Sequence, residues 1–449
     1  MTQSLVLKGN ICYSRDSRTL EYAENGYLVC ENGLSAGVFG QLPEQYRALP
    51  LVDHGQALIV PGLTDLHVHA SQYALRGLGM DLELLDWLHA HVFPEEARFS
   101  DLDYAQQAYS LFVEDMKNSP NTRACVFATS HTAATVLLMD MLEQSGLLTM
   151  VGRVNMDRNS PPALQEASAE ASINETVDWL QAVSGRYANT MPILTPRFIP
   201  ACSDALMARL RHIQEEYRLP LQSHLSENTN ENVLVQQLCP ESASYADAYR
   251  RFGLFGGDVP TVMAHCVWVS EEERAMMRDR GVFVAHCPQS NANLASGIAP
   301  VRQMLAMGIP MGLGSDVAGG CHVSIFRAMS DAIQASKIRW RLVCQEDAPL
   351  TMAEAFYLGT MGGGAFFAHH GPPGQSGKTG PSGLSGLSGL SGKTGSFLPG
   401  YELDALVIDD SDLLLPCAQS LPERLTRAVY FAHKRHLRQK YVRGKAILP

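Results

Sequence analysis

No stretch of this chain stays apolar for the roughly 20 residues that a bilayer-crossing helix needs. Nor does it open on a basic segment followed by a long apolar run. Met1-Thr2-Gln3-Ser4-Leu5-Val6-Leu7-Lys8-Gly9 reads instead as a first strand. The ten cysteines form no Cys-x-x-Cys pair, which argues against a disulfide framework and a thiolate zinc cage alike. A reducing, cytoplasmic setting without a membrane partner is the expectation. Positive charge is also scarce. With 35 Lys and Arg against 46 Asp and Glu, the formal net charge is -11. A general nucleic-acid binder needs a basic footprint, so no nucleic-acid partner is expected.

What is present suits a large folded core. Hydrophobic residues make up 46% and charged residues 18% of 449. That excludes global disorder and fits a barrel with a smaller companion domain. The most informative segment is Leu58-Ile59-Val60-Pro61-Gly62-Leu63-Thr64-Asp65-Leu66-His67-Val68-His69. Alternation along a strand points His67 and His69 the same way. Two neutral imidazoles side by side are poor core filling and good first ligands for a divalent metal.

Three later segments are built alike. Leu219–His224 and Thr261–His265 end apolar runs in a histidine, and Ile309–Asp316 ends in an aspartate. Any one of these could be a cap or a satisfied buried polar group. Together they place a polar side chain at the C-terminal end of successive strands, where (β/α)8 barrels gather their active sites. The joint reading is a metal site of His67, His69, His224 and Asp316, with His265 beside it.

The chain divides into four parts. Residues 1–60 read as strands with turns at Glu24-Asn25-Gly26 and Glu31-Asn32-Gly33. Residues 61–368 alternate apolar strands with amphipathic helices, the pattern of an α/β parallel barrel. Residues 397–449 return to strands, at Ala405–Asp409, Val429–Phe431 and Lys440–Ile447. The two ends are expected to form one small β-sandwich domain beside a TIM-like barrel. Between them, residues 369–396 repeat Gly every third position from 371 to 395. The period is that of collagen, but the run is short and proline-poor. It reads as a surface loop rich in Gly and Ser. Its Gly-Lys-Thr copies lack the spacing of a phosphate loop.

The segment Pro61–His69 resembles the opening motif of the amidohydrolase superfamily. Ala70-Ser71-Gln72-Tyr73, Leu84–Leu88, Phe93-Pro94-Glu95-Glu96, Thr195–Phe198, Ser223–Asn228, His286–Asn291 and Gly314–Gly320 resemble its guanine deaminase family in particular. The resemblance runs over nearly the whole chain, and the Gly-rich segment departs from it.

That resemblance implies zinc-dependent hydrolysis of guanine to xanthine and ammonia by a cytoplasmic homodimer. It implies one zinc per chain, with ferrous iron as the alternative. His67, His69 and His224 would hold the metal, and Asp316 would hold it and accept a proton from water. His265 would steer that water, at or just beyond bonding distance. Glu227, three residues past His224, would shuttle the proton to the ring and the leaving amine. Its plainer reading is a carboxylate at a helix N-terminus. Arg197 and Gln72 offer planar donors and an amide to a purine edge. Trp87 and Phe198 could stack on the ring, and Ser71 and Ser226 complete the expected substrate contacts. Surface positions and core aromatics are the plainer alternatives.

Two absences sharpen the reading. Two-metal members of the superfamily bridge their ions with a modified lysine on a middle strand. Between His69 and His224 the sequence holds only Lys117, in a helical stretch, so one metal is expected. No Pro-Cys-x-x-Cys occurs, which excludes the cytidine-type deaminase site. The rivals are an aminohydrolase of cytosine, a thiolated adenosine or a triazine, and a barrel scaffold without catalysis. Ser71-Gln72 and Pro196-Arg197-Phe198 favour guanine, and an intact ligand set disfavours a scaffold.

Overall fold

Eight short parallel strands are buried on both faces, which is why they read as continuous apolar runs rather than alternating ones. In the computed structural model, which describes residues 4–368 and 393–448, they form two four-stranded sheets. One runs Leu63–His69, Asn121–Phe127, Leu148–Gly152, Thr190–Pro192. The other runs Leu221–Leu225, Thr261–His265, Phe283–His286, Met311–Leu313. A parallel bridge between Leu194 and Leu221 joins them on one side. On the other side the join falls beyond the last strand. Asp316 N donates to His67 O at 2.8 Å and His69 N to Val317 O at 3.1 Å. Helices fill the connections, giving an α/β, TIM-barrel-like architecture. No helix among the described residues is long and apolar enough to cross a membrane.

The two chain ends share one mixed seven-stranded sheet. Its order is 445–446, 437–442, 405–408, 51–61, 5–14, 20–31, 34–39. Leu51–Pro61 lies at its centre, parallel to Leu5–Ser14 and antiparallel to Ala405–Ile408. The union of the ends was legible, but they form one continuous hydrogen-bonded sheet where a sandwich was expected. The sheet docks on the barrel through buried charge. Arg123 pairs with Glu402 and Asp404, each at 2.7 Å. Lys440 Nζ donates to Asn121 O at 2.7 Å and Met116 O at 3.2 Å.

Three local expectations are corrected. Val429-Tyr430-Phe431 is not a strand but the end of the Leu421–Phe431 helix. Ser420 and Glu423 form a capping box with Pro422 in the first turn. Leu421, Leu425, Ala428 and Val429 recur at helical spacing and are buried. That pattern outweighs the β-propensity of three residues. Glu24-Asn25-Gly26 is not a turn, because the strand Leu20–Glu31 runs through it. The register against Leu5–Ser14 shifts there and Asn25 takes φ 47°, the signature of a bulge. Asn32 and Gly33 do turn the chain, at φ 52° and 83°.

The third correction concerns the Gly-x-y segment. Residues 369–392 lie outside the described residues. Thr394, Gly395 and Ser396, expected in the same loop, are packed: Thr394 and Ser396 are buried. Ser396 Oγ donates to Ser14 O at 2.6 Å and Glu402 N to Lys393 O at 2.8 Å. The loop reading therefore stops short of residue 394.

Candidate active site

His69 and His265 are the last residues of their strands, His224 is next to last, and Asp316 lies three residues past Leu313. All four are buried at the same end of the barrel. The backbone there is unusual. Ser226, His265, Cys266 and Asp316 have φ of 48°, 70°, 52° and 46°, a region that non-glycine residues rarely hold. Such conformations persist where surrounding structure imposes them, and they cluster at functional sites. Asp65 is one fastener here. It accepts from Ser315 N at 3.0 Å, Ser315 Oγ at 2.5 Å and His67 N at 3.2 Å. Burial nevertheless pushes its carboxyl up to about 7.

The ligand atoms converge. His67 Nε2 and His69 Nε2 are 3.2 Å apart, as are His69 Nε2 and His224 Nε2. Asp316 Oδ1 lies 3.1 Å from His67 Nε2 and 3.4 Å from His69 Nε2. Donors about 2.0–2.1 Å from a tetrahedral zinc are about 3.3–3.4 Å from one another, so the spacing fits a single small cation. The protonation pattern agrees. His224 Nδ1 is 2.6 Å from Arg197 O and must donate to it, leaving Nε2 as a bare lone pair. Burial, above all, holds the His67, His69 and His224 imidazoles below their usual range, hence neutral. Burial works against ionised Asp316, but the imidazoles of His67, His265 and His69 outweigh it and hold the carboxyl well down. Neutral imidazoles facing one carboxylate are a metal-binding donor set.

His265 stands at the edge of this group. Its Nδ1 donates to Asn291 Oδ1 at 2.9 Å. Its buried Nε2 has no aligned hydrogen-bond partner and faces Glu227 Oε2 at 3.3 Å and Asp316 Oδ2 at 3.8 Å. Glu227 receives Ser296 Oγ at 3.1 Å. Burial first, then the charges of Asp316 and Glu231, raise its carboxyl well above the ordinary range. It is a group able to hold a proton near neutrality.

These side chains open onto a cavity of about 420 Å³, open solvent included, that Gln72, Trp87, Arg197 and Phe198 also line. The Gly77–Gly79 turn fixes the Trp87 ring, whose Nε1 donates to Leu78 O at 2.9 Å. Ser71 and Ser226 are not brought to the cavity. Ser71 Oγ donates to Ala128 O at 2.7 Å, and Ser226 contributes its carbonyl to Val267 N and Trp268 N, both at 3.0 Å. Lys117 sits on the Leu102–Asn118 helix, and no lysine lines the cavity among the described residues.

Sequence reasoning missed Glu96, Glu231 and Asn291. Glu231 accepts from Tyr245 OH at 2.7 Å and Glu227 N at 2.9 Å, so it frames the turn that carries Glu227. Glu96 and Asn291 have no spacing signal of their own, and Glu96 showed only as the second of two adjacent acids, Glu95 and Glu96. Glu231 had one, three residues after Asn228 as the second half of a capping box.

An amidohydrolase family model matches residues 58–369. The guanine deaminase of Dictyostelium discoideum is 35% identical over 88% of this chain and 84% of its own length. The human guanine deaminase is 35% identical over 87% and 83%. Among solved structures, guanine deaminase from C. acetobutylicum with guanine bound in its active site is 40% identical. It superposes with a TM-score of 0.91 over 99% of this chain and 100% of that one. With the strand-end histidines and aspartate of the barrel, these likenesses give the family: the chain belongs to the amidohydrolase family, and within it groups with the guanine deaminases.

Proposed function

We propose that this protein hydrolyses guanine to xanthine and ammonia at one zinc ion held by His67, His69, His224 and Asp316. The observation that carries the reading is the meeting of two sets of groups in one cavity. His69, His224 and Asp316 line it, each within a metal-binding cluster that includes His67, and Arg197 and Gln72 line it as well. Similarity to a guanine deaminase solved with guanine supports the choice of purine.

The metal, when bound, makes a water molecule acidic enough to attack at neutral pH. Asp316, kept ionised by its imidazoles, accepts a proton from the attacking water. His265 orients that water through Nε2, its ring held from behind by Asn291. Glu227 gives its proton to the ring nitrogen beside C2 as water adds there, takes up the proton left on the added oxygen and passes it to the amine, which leaves as ammonia, and the proton held by Asp316 then restores Glu227. Arg197 and Gln72 hold the purine edge by donating to its acceptors. Trp87 and Phe198 flank the ring, while Leu84, Leu88 and Leu294 keep bulk water out. The catalytic unit is residues 61–368, and residues 1–60 and 397–449 form its companion domain.

The test is loss of guanine absorbance with coupled ammonia release, run in parallel on cytosine, adenine and 8-oxoguanine. Guanine turnover with stoichiometric ammonia is expected. Turnover of another heterocycle in preference to guanine would replace the substrate while leaving the hydrolytic chemistry.

A further inference from the structure

Arg197 and Gln72 reach the cavity from positions 125 residues apart in the sequence, yet one carboxylate holds both. Glu96 Oε2 accepts from Arg197 Nη1 at 2.5 Å, and Glu96 Oε1 accepts from Gln72 Nε2 at 2.9 Å. All three residues are at least nine-tenths buried: their exposures are 3% for Glu96, 4% for Arg197 and 3% for Gln72. Glu96 lies on the short helix Phe93–Ala97, whose Phe93 ring also sits 5.2 Å from the Arg197 guanidinium. One helix thus grips the guanidinium by its charge and by its face.

We propose that Glu96 is a positioning residue that sets which purine edge the cavity accepts, by locking Gln72 and Arg197 into a wall of hydrogen-bond donors. This rests on the guanine reading above. A carboxylate accepts and cannot donate. The Gln72 amide therefore keeps its nitrogen toward Glu96, and its oxygen turns toward Ala318 N, 3.5 Å away. Its second N–H and the remaining guanidinium N–H groups are what the wall offers a ligand. The buried pair is neutral overall, so those donors suit the carbonyl of an uncharged heterocycle better than an anion. A ring bearing an amine in place of the carbonyl would set donor against donor, leaving buried groups unpaired.

The replacement Glu96→Gln preserves shape and removes the constraint. An amide at 96 can donate to the Gln72 oxygen, so the Gln72 amide is free to turn and present an acceptor.

The experiment compares guanine with 2,6-diaminopurine, which keeps the reacting C2 amine and replaces the C6 oxygen by an amine. The wild-type holoenzyme is expected to favour guanine in kcat/KM. Glu96→Gln is expected to cut that preference at least tenfold, mainly through a higher KM for guanine, with metal content unchanged. Glu96→Asp, which retains the charge but withdraws it by one methylene, is expected to fall between. A wild-type ratio near one overturns the proposal. So does a parallel loss on both purines, which is what a purely structural ion pair gives. Should Glu96→Gln fail to fold, the Glu96→Asp ratio decides alone, and an unchanged ratio there overturns the proposal. Failure of the wild type on both purines would instead sink the guanine reading, and this inference with it.

Discussion

In the proposed reaction Glu227 is asked to do more than any other side chain. It would hold a proton against a neighbouring carboxylate and release it to a ring nitrogen. Burial and the charges of Asp316 and Glu231 favour its protonated form. Glu227→Gln keeps the shape and the acceptance from Ser296 but cannot release a proton. Turnover is expected to fall about 10²–10⁴-fold with zinc content and melting temperature unchanged. Elemental analysis and steady-state rates on one preparation check this, and retention of a tenth of the rate would remove Glu227 from proton transfer. Arg197→Lys asks a different question. A lysine can still pair with Glu96, but a point charge cannot copy the planar fork. One incompletely paired purine acceptor costs roughly 1–3 kcal/mol, so kcat/KM is expected to drop about 5- to 150-fold. Denaturation midpoints, measured alongside, should move much less.

At this scale the sequence was most legible where chemistry and period coincide. His67 and His69 were readable because strand alternation alone sends both one way. Glu96 was not, because its role appears only when residues 72 and 197 meet across the barrel. Ser71 and Ser226 sit inside informative segments, yet the Ser71 hydroxyl is committed to Ala128 O and the Ser226 hydroxyl is buried without lining the cavity. A motif marks a neighbourhood, not the direction of each side chain.

Among elements, the strand ends were read correctly and one helix was not. The barrel strands are buried on both faces, so their apolar runs stop where the chain leaves the core, and the polar residue after each run marks that exit. Val429–Phe431 misled because three residues carry β-propensity while the cap that decides the matter lies at Ser420 and Glu423. The boundary of the Gly-x-y segment misled for a related reason: Gly395 keeps the period of three but has another task. It takes φ 82°, and a Cβ there would come within 2.4 Å of the Thr360 carbonyl carbon and 2.6 Å of Met361 N. Gly395→Ala is therefore expected to destabilise the protein by about 2–4 kcal/mol, from a left-handed backbone and a clash with backbone atoms. Gly40→Ala, where a Cβ meets nothing within 4 Å, should stay within about 0.5 kcal/mol. Urea denaturation of the two variants makes the comparison, and equal losses would refute the anchoring role of Gly395.

For the molecule as a whole, the proposed metal would tie the two four-stranded sheets together. His67 and His69 come from one, and His224 and His265 from the other. Asp316 follows the last strand and hydrogen-bonds back to the first. A ligand that binds only the folded state stabilises it by mass action. Chelation is expected to lower the melting temperature, and restoring one equivalent of zinc per chain should recover it. Asp316→Ala and the double His67→Ala/His69→Ala variant should neither retain zinc nor respond to it. Two tightly held metals per chain in the wild type would contradict the single-site geometry and the lack of a lysine at the cavity among the described residues.

The Gly-x-y insertion tests whether that whole depends on its one unusual segment. Phe366 and Phe367 are buried before it, and Thr394 and Ser396 after it. The two flanks already touch, since a Cβ on Gly364 would lie 2.7 Å from Thr394 Cγ2. From Gly364 the helix to Ala368 rises only about 6 Å, at 1.5 Å per residue. A connection of three residues covers about 10 Å, so replacing residues 371–392 by such a linker can join the flanks without moving them. No residue placed in the metal set or on the cavity wall falls in the deleted stretch. By loop-closure entropy alone, changing the length of a connection costs only about 0.6 kcal/mol per doubling. The shortened protein is expected to keep its zinc, its guanine turnover within about twofold, and its oligomeric state. Its melting temperature should stay level or rise slightly, as the shorter connection lowers the entropy of the unfolded chain. Sedimentation decides the matter: a trimer in the intact protein that becomes a smaller species after the deletion would make the collagen-like period an assembly element.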